Sequence, residues 1–296
     1  MISILIPTYN YNAFPLAKTL EDMALQINLP FEILCFDDGS NSVYNKENKL
    51  INTLTNSTFK AIPKRVGLAN NRNNLANAAI YPYLLFIDGD SQITNKKYLK
   101  NYISAIKEDT EVIYGGRYHP DFVEHQRRLR WKYGKHHEDT AAKYRQKLKY
   151  KFVLFNNTLI SKHTFTKITF NDTIVNYGHE DTVFAYNLSL IKANVSHIDN
   201  AVLHGDVDIN SVFFYKMHKS IENLNYIYNN RLIDYDFIRF LKLFTTIKTY
   251  KLHYLFSLIH LTLYPILKWN LTSNQPSLKL FNLFRISYFC YINLKK

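Results

Sequence analysis

The chain has 296 residues, 37 of them Lys or Arg and 24 Asp or Glu, for a formal net charge of +13, with 47% hydrophobic and 15% aromatic residues. That apolar content excludes a disordered chain, and only 8 Gly and 8 Pro exclude collagen-like or linker-dominated sequences. Two distant cysteines, Cys35 and Cys290, exclude a disulfide framework or a cysteine-based zinc site and suit a reducing compartment.

The amino-terminal run Met1-Ile2-Ser3-Ile4-Leu5-Ile6-Pro7 lacks the positive flank and the apolar length of a secretory leader. It reads as a strand, and the expected location is the cytoplasm. Over the first 116 residues, strand patterns at 2–6, 31–36, 58–62, 83–87 and 111–114 alternate with helical ones. The first helix follows Pro15, which suits an opening turn, and carries Leu16, Leu20, Met23, Ala24 and Ile27 at helical spacing. The second runs over 68–80, with Leu68, Leu75, Ala76 and Ala79 as its apolar stripe and Asn71, Arg72 and Asn74 off it. This alternation predicts an α/β fold, a Rossmann-like and mostly parallel sheet flanked by helices.

Beyond Arg117 the pattern changes to helix and loop as far as Lys151, then a strand at 152–160. Tyr177-Gly178-His179-Glu180-Asp181 opens a helix over 182–190, a strand follows at 194–203, and the remainder is largely helical. Residues 1–225 are expected to form the main domain and 226–296 a helical, basic and aromatic extension. Positive charge is concentrated. Residues 117–151 hold 11 Lys/Arg against 4 Asp/Glu, and residues 231–296 hold 10 against 2, which leaves the rest slightly acidic. A nucleic-acid face, an anionic membrane or a phosphate-bearing substrate would each fit that arrangement.

Three predicted strands end in polar residues: Pro7-Thr8-Tyr9-Asn10, Asp37-Asp38-Gly39-Ser40 and Asp88-Gly89-Asp90. Ligands of parallel α/β sheets bind beyond the carboxyl ends of the strands, so these tips should converge on one crevice. Neither a dinucleotide glycine fingerprint nor a phosphate-cradling loop is present. A diphosphate would need another partner, and carboxylates at Asp88 and Asp90 suit a hard divalent cation that bridges to phosphate oxygens. Asp-Gly-Asp also suits a plain turn after a buried strand.

SILIPTYN, EILCFDDGSN, VGLANNRNN, YLLFIDGD and YGHEDTVFAYNL stand in the order and approximate spacing seen in family 2 glycosyltransferases of the GT-A fold, which residues 1–225 resemble. The resemblance implies an inverting, metal-dependent transferase with a nucleotide diphosphate sugar donor, most often UDP-linked. It implies that Pro7, Thr8, Tyr9 and Asp37 hold the base and ribose, with Arg72 on the base or phosphate side. Asp88 would face ribose and metal, and Asp90, in the DXD motif, would be the main ligand to Mn²⁺ or Mg²⁺. Asn71-Arg72-Asn73, followed by Asn74, departs from the family's usual Ala-Arg-Asn-Gly.

Glu180-Asp181 resembles the family's acidic pair. A hydroxyl acceptor is a poor nucleophile, and a carboxylate in reach can take its proton; that role falls to Asp181, with Glu180 on an acceptor hydroxyl or at the helix amino terminus. His204 resembles a late histidine that some such enzymes give to the metal, and imidazole is compatible with Mn²⁺. The acceptor is expected to be a glycan or a lipid-linked glycan of cell-surface polysaccharide synthesis, not a nucleic acid. A sugar nucleotidyltransferase and a non-catalytic binder of anionic surfaces are the alternatives.

Arg127-Arg128-Leu129-Arg130-Trp131-Lys132-Tyr133 reads either as an acceptor-side contact or as a solvated helix face. Residues 252–267 are apolar but too short to span a bilayer. Aromatics and leucines in the tail, interspersed with Lys242, Lys248, Lys251, Lys268 and Arg285, suggest amphipathic helices, either on the inner face of the plasma membrane or packed on the catalytic domain.

Overall fold

The computed structural model describes residues 1–294. In chain order its elements begin with β1 (Ile2–Thr8), α1 (Phe14–Gln26), β2 (Phe31–Asp37), α2 (Asn45–Asn48), β3 (Ser57–Ala61), α3 (Leu68–Ala78), β4 (Tyr83–Ile87) and β5 (Ser91–Gln92). Next come α4 (Tyr98–Ala105), β6 (Val112–Tyr114), β7 (Arg117–Tyr118), α5 (Arg128–His137), α6 (Ala142–Arg145), β8 (Asn157–Ser161) and α7 (Lys162–Lys167). They are followed by α8 (Glu180–Leu190), β9 (Val195–His197), β10 (Val202–His204), α9 (Asn210–Asn229), α10 (Arg239–Thr249), α11 (His253–Thr272) and α12 (Leu278–Leu294). Two compact units arise: residues 1–120, 138–175 and 180–206 form one, and residues 121–137, 176–179 and those from 207 onward form the other.

The first unit is α/β. Its main sheet has the order β3-β2-β1-β4-β8-β6-β9, beside a small sheet β5-β10-β7. β3, β2, β1 and β4 run parallel, while β8 is antiparallel to both β4 and β6. β1 is buried along all seven residues, as a parallel strand covered on both faces must be, and its near-continuous apolar sequence reflects that. Leu16, Ala17, Leu20 and Ala24 of α1 pack into the core with Ile4, Ile6 and Ile33. Each large side chain buried there contributes roughly 1.5–3 kcal/mol relative to exposure.

Two expected strands differ. Residues 194–203 divide into β9, in the main sheet, and β10, in the small one. The break comes where Asn200 turns inward: its backbone N–H donates to the Gly115 carbonyl at 3.1 Å and its Nδ2 to the Tyr98 carbonyl at 3.0 Å. In the other, strand pairing starts only at Asn157, because residues up to Phe152 form a 3₁₀ segment. Asn157 is fully buried. Its Oδ1 accepts from Tyr98 Oη and Tyr102 Oη, both at 2.7 Å, and its Nδ2 donates to the carbonyls of Gly116 (2.7 Å) and Asn200 (2.9 Å). This satisfied polar node fixes β7 and β10 against the main sheet.

α3 also departs from its sequence pattern. Asn71 and Arg72 face inward, whereas Leu68 is 36% exposed. Asn71 Nδ2 donates to the Phe36 carbonyl at 2.9 Å, and Arg72 is drawn in by carboxylates at the strand tips.

The second unit is helical, with α9, α11 and α12 packed together and α5 against α9. Phe213, Phe214, Phe244, Phe281, Phe284 and Phe289 fill its interior. Arg130 is buried with its guanidinium 5.6 Å from the Phe213 ring centre, Lys132 Nζ donates to the Pro276 carbonyl at 2.7 Å, and the Leu129 N–H donates to Asn210 Oδ1 at 2.8 Å. Arg130 and Lys132, read from sequence as an acceptor contact or a solvated face, are tied into this packing. Cys35 lies buried in β2 and Cys290 in α12. No helix among the described residues is long and apolar enough to cross a membrane.

Candidate active site

The site lies in the first unit, where parallel strands end. The tips are stitched together: the Asp38 N–H donates to the Thr8 carbonyl at 2.9 Å and the Gly89 N–H to the Pro7 carbonyl at 3.2 Å. A Cβ on Gly89 would stand 3.1 Å from the Thr8 side chain, so a larger residue between the two aspartates would press on Thr8. Pro7 and Thr8 at the carboxyl end of β1 therefore lie beside the Asp88-Gly89-Asp90 turn that follows β4. Tyr9 is exposed there, with the Arg65 guanidinium 5.0 Å from its ring centre.

Arg72 joins distant parts of the chain. Its Nη2 donates to Asp88 Oδ1 at 3.0 Å and its Nη1 to Asp181 Oδ1 at 2.7 Å, with Glu180 Oε1 3.5 Å from Nη1. At 1% exposure this guanidinium is inside the protein, which is tolerable only because several carboxylates surround it. Arg117 approaches the second oxygen of Asp88 at 3.5 Å and also pairs with Glu138 at 3.4 Å. Asp88 thus lies between two guanidiniums.

Glu180 and Asp181 occupy the first turn of α8, where the helix dipole favours negative charge. Burial, reinforced by the neighbouring Asp181 charge and opposed by Arg72, pushes the Glu180 carboxyl up to about 7. Its Oε2 is buried and has no hydrogen-bond partner among the described residues. Asp88 is likewise raised by burial, against the lowering effect of Arg72 and Arg117, and both Asp90 and Asp181 act on it electrostatically. The strand-tip and helix carboxylates therefore share one field.

His204, at the end of β10, places Nε2 3.3 Å from Asp90 Oδ2. Behind it the His119 ring stands 5.2 Å away, edge-on, with Nδ1 2.6 Å from Asp139 Oδ1. Among the described residues no group of three His, Cys, Asp or Glu side chains encloses a metal position. The donor set still suits a partial site: Asp90 and His204 are adjacent oxygen and nitrogen donors of the kind Mn²⁺ accepts. Even without Glu180, which burial pushes toward its neutral form, Asp88, Asp90, Glu138 and Asp181 outnumber Arg72 and Arg117, an excess of acidic groups that a divalent cation would offset.

Asp37, at the end of β2, directs its carboxylate to groups of its own loop. Its oxygens accept from the Ser40 hydroxyl (2.6 Å), the Ser40 N–H (3.0 Å) and Asn45 Nδ2 (3.0 Å), and it is buried within its own turn. Asp38 accepts from the N–H groups of Val66 (2.8 Å) and Gly67 (3.0 Å) and so sets the entry to α3 that aims Arg72.

Sequence reading missed Arg117, Glu138, the His119–Asp139 pair and Tyr11, whose hydroxyl is raised by burial and by Asp206 and Asp90. One local signal was present, the Gly115-Gly116 pair after β6. Gly116 has a φ of 98°, and a Cβ there would meet the Arg145 guanidinium, so the pair marks a tightly packed turn that delivers Arg117.

A family model described as Glycosyl transferase family 2 matches residues 3–169. A comparison with curated protein sequences gave no match. Among solved structures, S. aureus TarS 1–349 aligns with a TM-score of 0.50 and 18% identity, over 75% of this chain and 64% of that one. The same TarS fragment in complex with UDP-GlcNAc aligns with a TM-score of 0.50 and 18% identity, over 75% and 66%. The mannosyltransferase PcManGT from Pyrobaculum calidifontis, in complex with GDP-Man and Mn²⁺, aligns at 0.49 and 14%, over 75% and 62%. The chain thus spans a little under two thirds of the length of TarS 1–349, and at these identities the likeness is one of fold.

Proposed function

The chain belongs to glycosyl transferase family 2 and is a glycosyltransferase, and from that premise we propose that it transfers a sugar from a nucleotide diphosphate donor, with inversion, to a hydroxyl of a glycan or lipid-linked acceptor. The observation that carries this reading is Arg72, which holds Asp88 of the strand tips and Asp181 of the helix start on one buried guanidinium. A donor-side group and a proton acceptor are thereby held on opposite arms of a single rigid side chain.

In this reading the Pro7-Thr8-Tyr9 tip takes the nucleoside, and Asp37 shapes the neighbouring turn. UDP sugars are the first donors to assay, given the TarS complex with UDP-GlcNAc. Asp181 Oδ1 is held by Arg72, so Oδ2 is the atom that receives the acceptor proton. As that proton leaves, the acceptor oxygen bonds to the anomeric carbon, and the bond to the diphosphate oxygen breaks with its electron pair on the leaving group. Glu180, with its carboxyl near 7, is suited to donating to or accepting from a second acceptor hydroxyl.

Asp90 and His204 would hold a divalent cation, Mn²⁺ or Mg²⁺, which when bound offsets charge on the diphosphate. Asp88, paired with Arg72 and Arg117, acts in this reading as the group that orients both guanidiniums and not as a main metal ligand. Arg117 is then a donor-side cation whose counter-charges are Asp88 and Glu138. A role in cell-surface polysaccharide synthesis, a cytoplasmic location and a peripheral contact with an anionic membrane complete the reading.

Calorimetric titration with UDP, with and without Mn²⁺, tests it. Metal-dependent binding is expected, together with release of UDP from UDP-GlcNAc or another UDP sugar during turnover. No binding under either condition would refute the donor assignment.

A further inference from the structure

α11 is inside out. Its buried positions are His253, Ser257, His260, Leu267 and Leu271, so three of the five are polar. Its other side exposes Tyr254, Leu255, Leu258, Leu261, Ile266 and Trp269. At about 100° per residue these six positions fall on one side of the 20-residue helix, forming one apolar stripe along it. Leu258 is 56% exposed and Trp269 72%. A helix bordered by water on that side would carry the opposite pattern, and a contiguous exposed apolar surface marks an interaction site.

The charge around the stripe identifies the partner. From residue 237 to 296 the sequence has no Asp or Glu and nine Lys or Arg. Lys248, Lys251 and Lys268 are exposed, the last two near opposite ends of α11. No described helix is long and apolar enough to cross a bilayer, so the helix would lie on a membrane and not through it. A second copy of this chain is a poor occupant, because pairing the stripe with itself would bring together two cationic segments without a counter-charge.

We propose that the exposed face of α11 docks in the plane of an anionic lipid bilayer, with its leucines and Trp269 at the acyl boundary and the flanking lysines among the headgroups. This rests on the membrane contact in the reading above, not on the sugar chemistry. It assigns that contact to one face of one helix.

Flotation of the full-length protein with phosphatidylcholine vesicles, with and without roughly a third phosphatidylglycerol, tests it. Binding is expected with the anionic vesicles at low salt and not with the neutral ones. Leu258→Glu combined with Leu261→Glu should weaken binding at least about tenfold, and Lys251→Glu with Lys268→Glu by about tenfold. UDP titration of the same variants should match the wild type, showing that they are folded. Vesicle binding without UDP binding in the wild type would count against the donor assignment and leave the docking face standing. Equal flotation of the wild type and the leucine variant would overturn the proposal. So would absence of flotation together with a dimer, seen in sedimentation velocity, that the leucine variant abolishes.

Discussion

Arg72 is the residue on which the site depends, because its guanidinium is the shared counter-charge of Asp88 and Asp181. Arg72→Ala would leave those carboxylates, with Glu180 beside them, in a region shielded from water. A loss of about 3–5 kcal/mol is expected in denaturant unfolding. Asp181→Asn keeps the shape and a hydrogen-bond acceptor for Arg72 but removes the base. Transfer should fall at least about a hundredfold, with the dissociation constant for UDP nearly unchanged. Wild-type turnover would remove Asp181 from the chemistry. Glu180 gives a pH prediction. Its folded value of about 7 lies above the ordinary 4.5. Folded protein therefore holds a proton that the unfolded chain has released between those values, and stability falls as pH rises through that window. Glu180→Gln should have little effect near pH 4 and stabilise by an amount on the order of 2 kcal/mol at pH 8, read as the change in unfolding midpoint across the range.

At the scale of elements, the Asn157 node on β8 supports the two short strands that bring Arg117 and His204 to the site. Asn157→Ala would strip acceptors from the Tyr98 and Tyr102 hydroxyls, both buried. A cost of about 2 kcal/mol or more is expected, with a rise in the UDP dissociation constant that a purely local defect would not cause. His204→Ala should weaken Mn²⁺-dependent UDP binding by about tenfold while leaving metal-free binding unchanged. The parallel strands and their acidic tips were legible in the sequence because apolar runs ending in Asp or Pro-Thr have a local signature. The inward turn of Arg72 was not, since counting apolar positions treats a cation as surface, and only carboxylates from elsewhere in the chain make its burial tolerable. β7 and β10 were also hidden. Strands of two and three residues carry no periodicity, and β10 merged with β9 into one apparent strand. α11 posed a related problem: its sequence shows an amphipathic helix but not which face is enclosed.

At the scale of the whole molecule, donor binding should act on stability by mass action. UDP with Mn²⁺ at about a hundred times the dissociation constant should add about 2.7 kcal/mol, visible as a larger upward shift of thermal unfolding than UDP alone gives. Residues 231–296, which include α11, hold 10 Lys or Arg against 2 Asp or Glu, so flotation with anionic vesicles should fade with added salt while nucleotide binding persists. The two cysteines have a further use. Burial pushes the Cys290 thiol up to about 12 and raises Cys35 as well, so neither is reactive in the folded protein. Cys35 belongs to the α/β unit and Cys290 to the helical one. Each is thus a native alkylation clock for its own unit: pulse labelling followed by peptide mass measurement would give two opening rates if the units breathe independently, and one shared rate if they come apart as a single cooperative body.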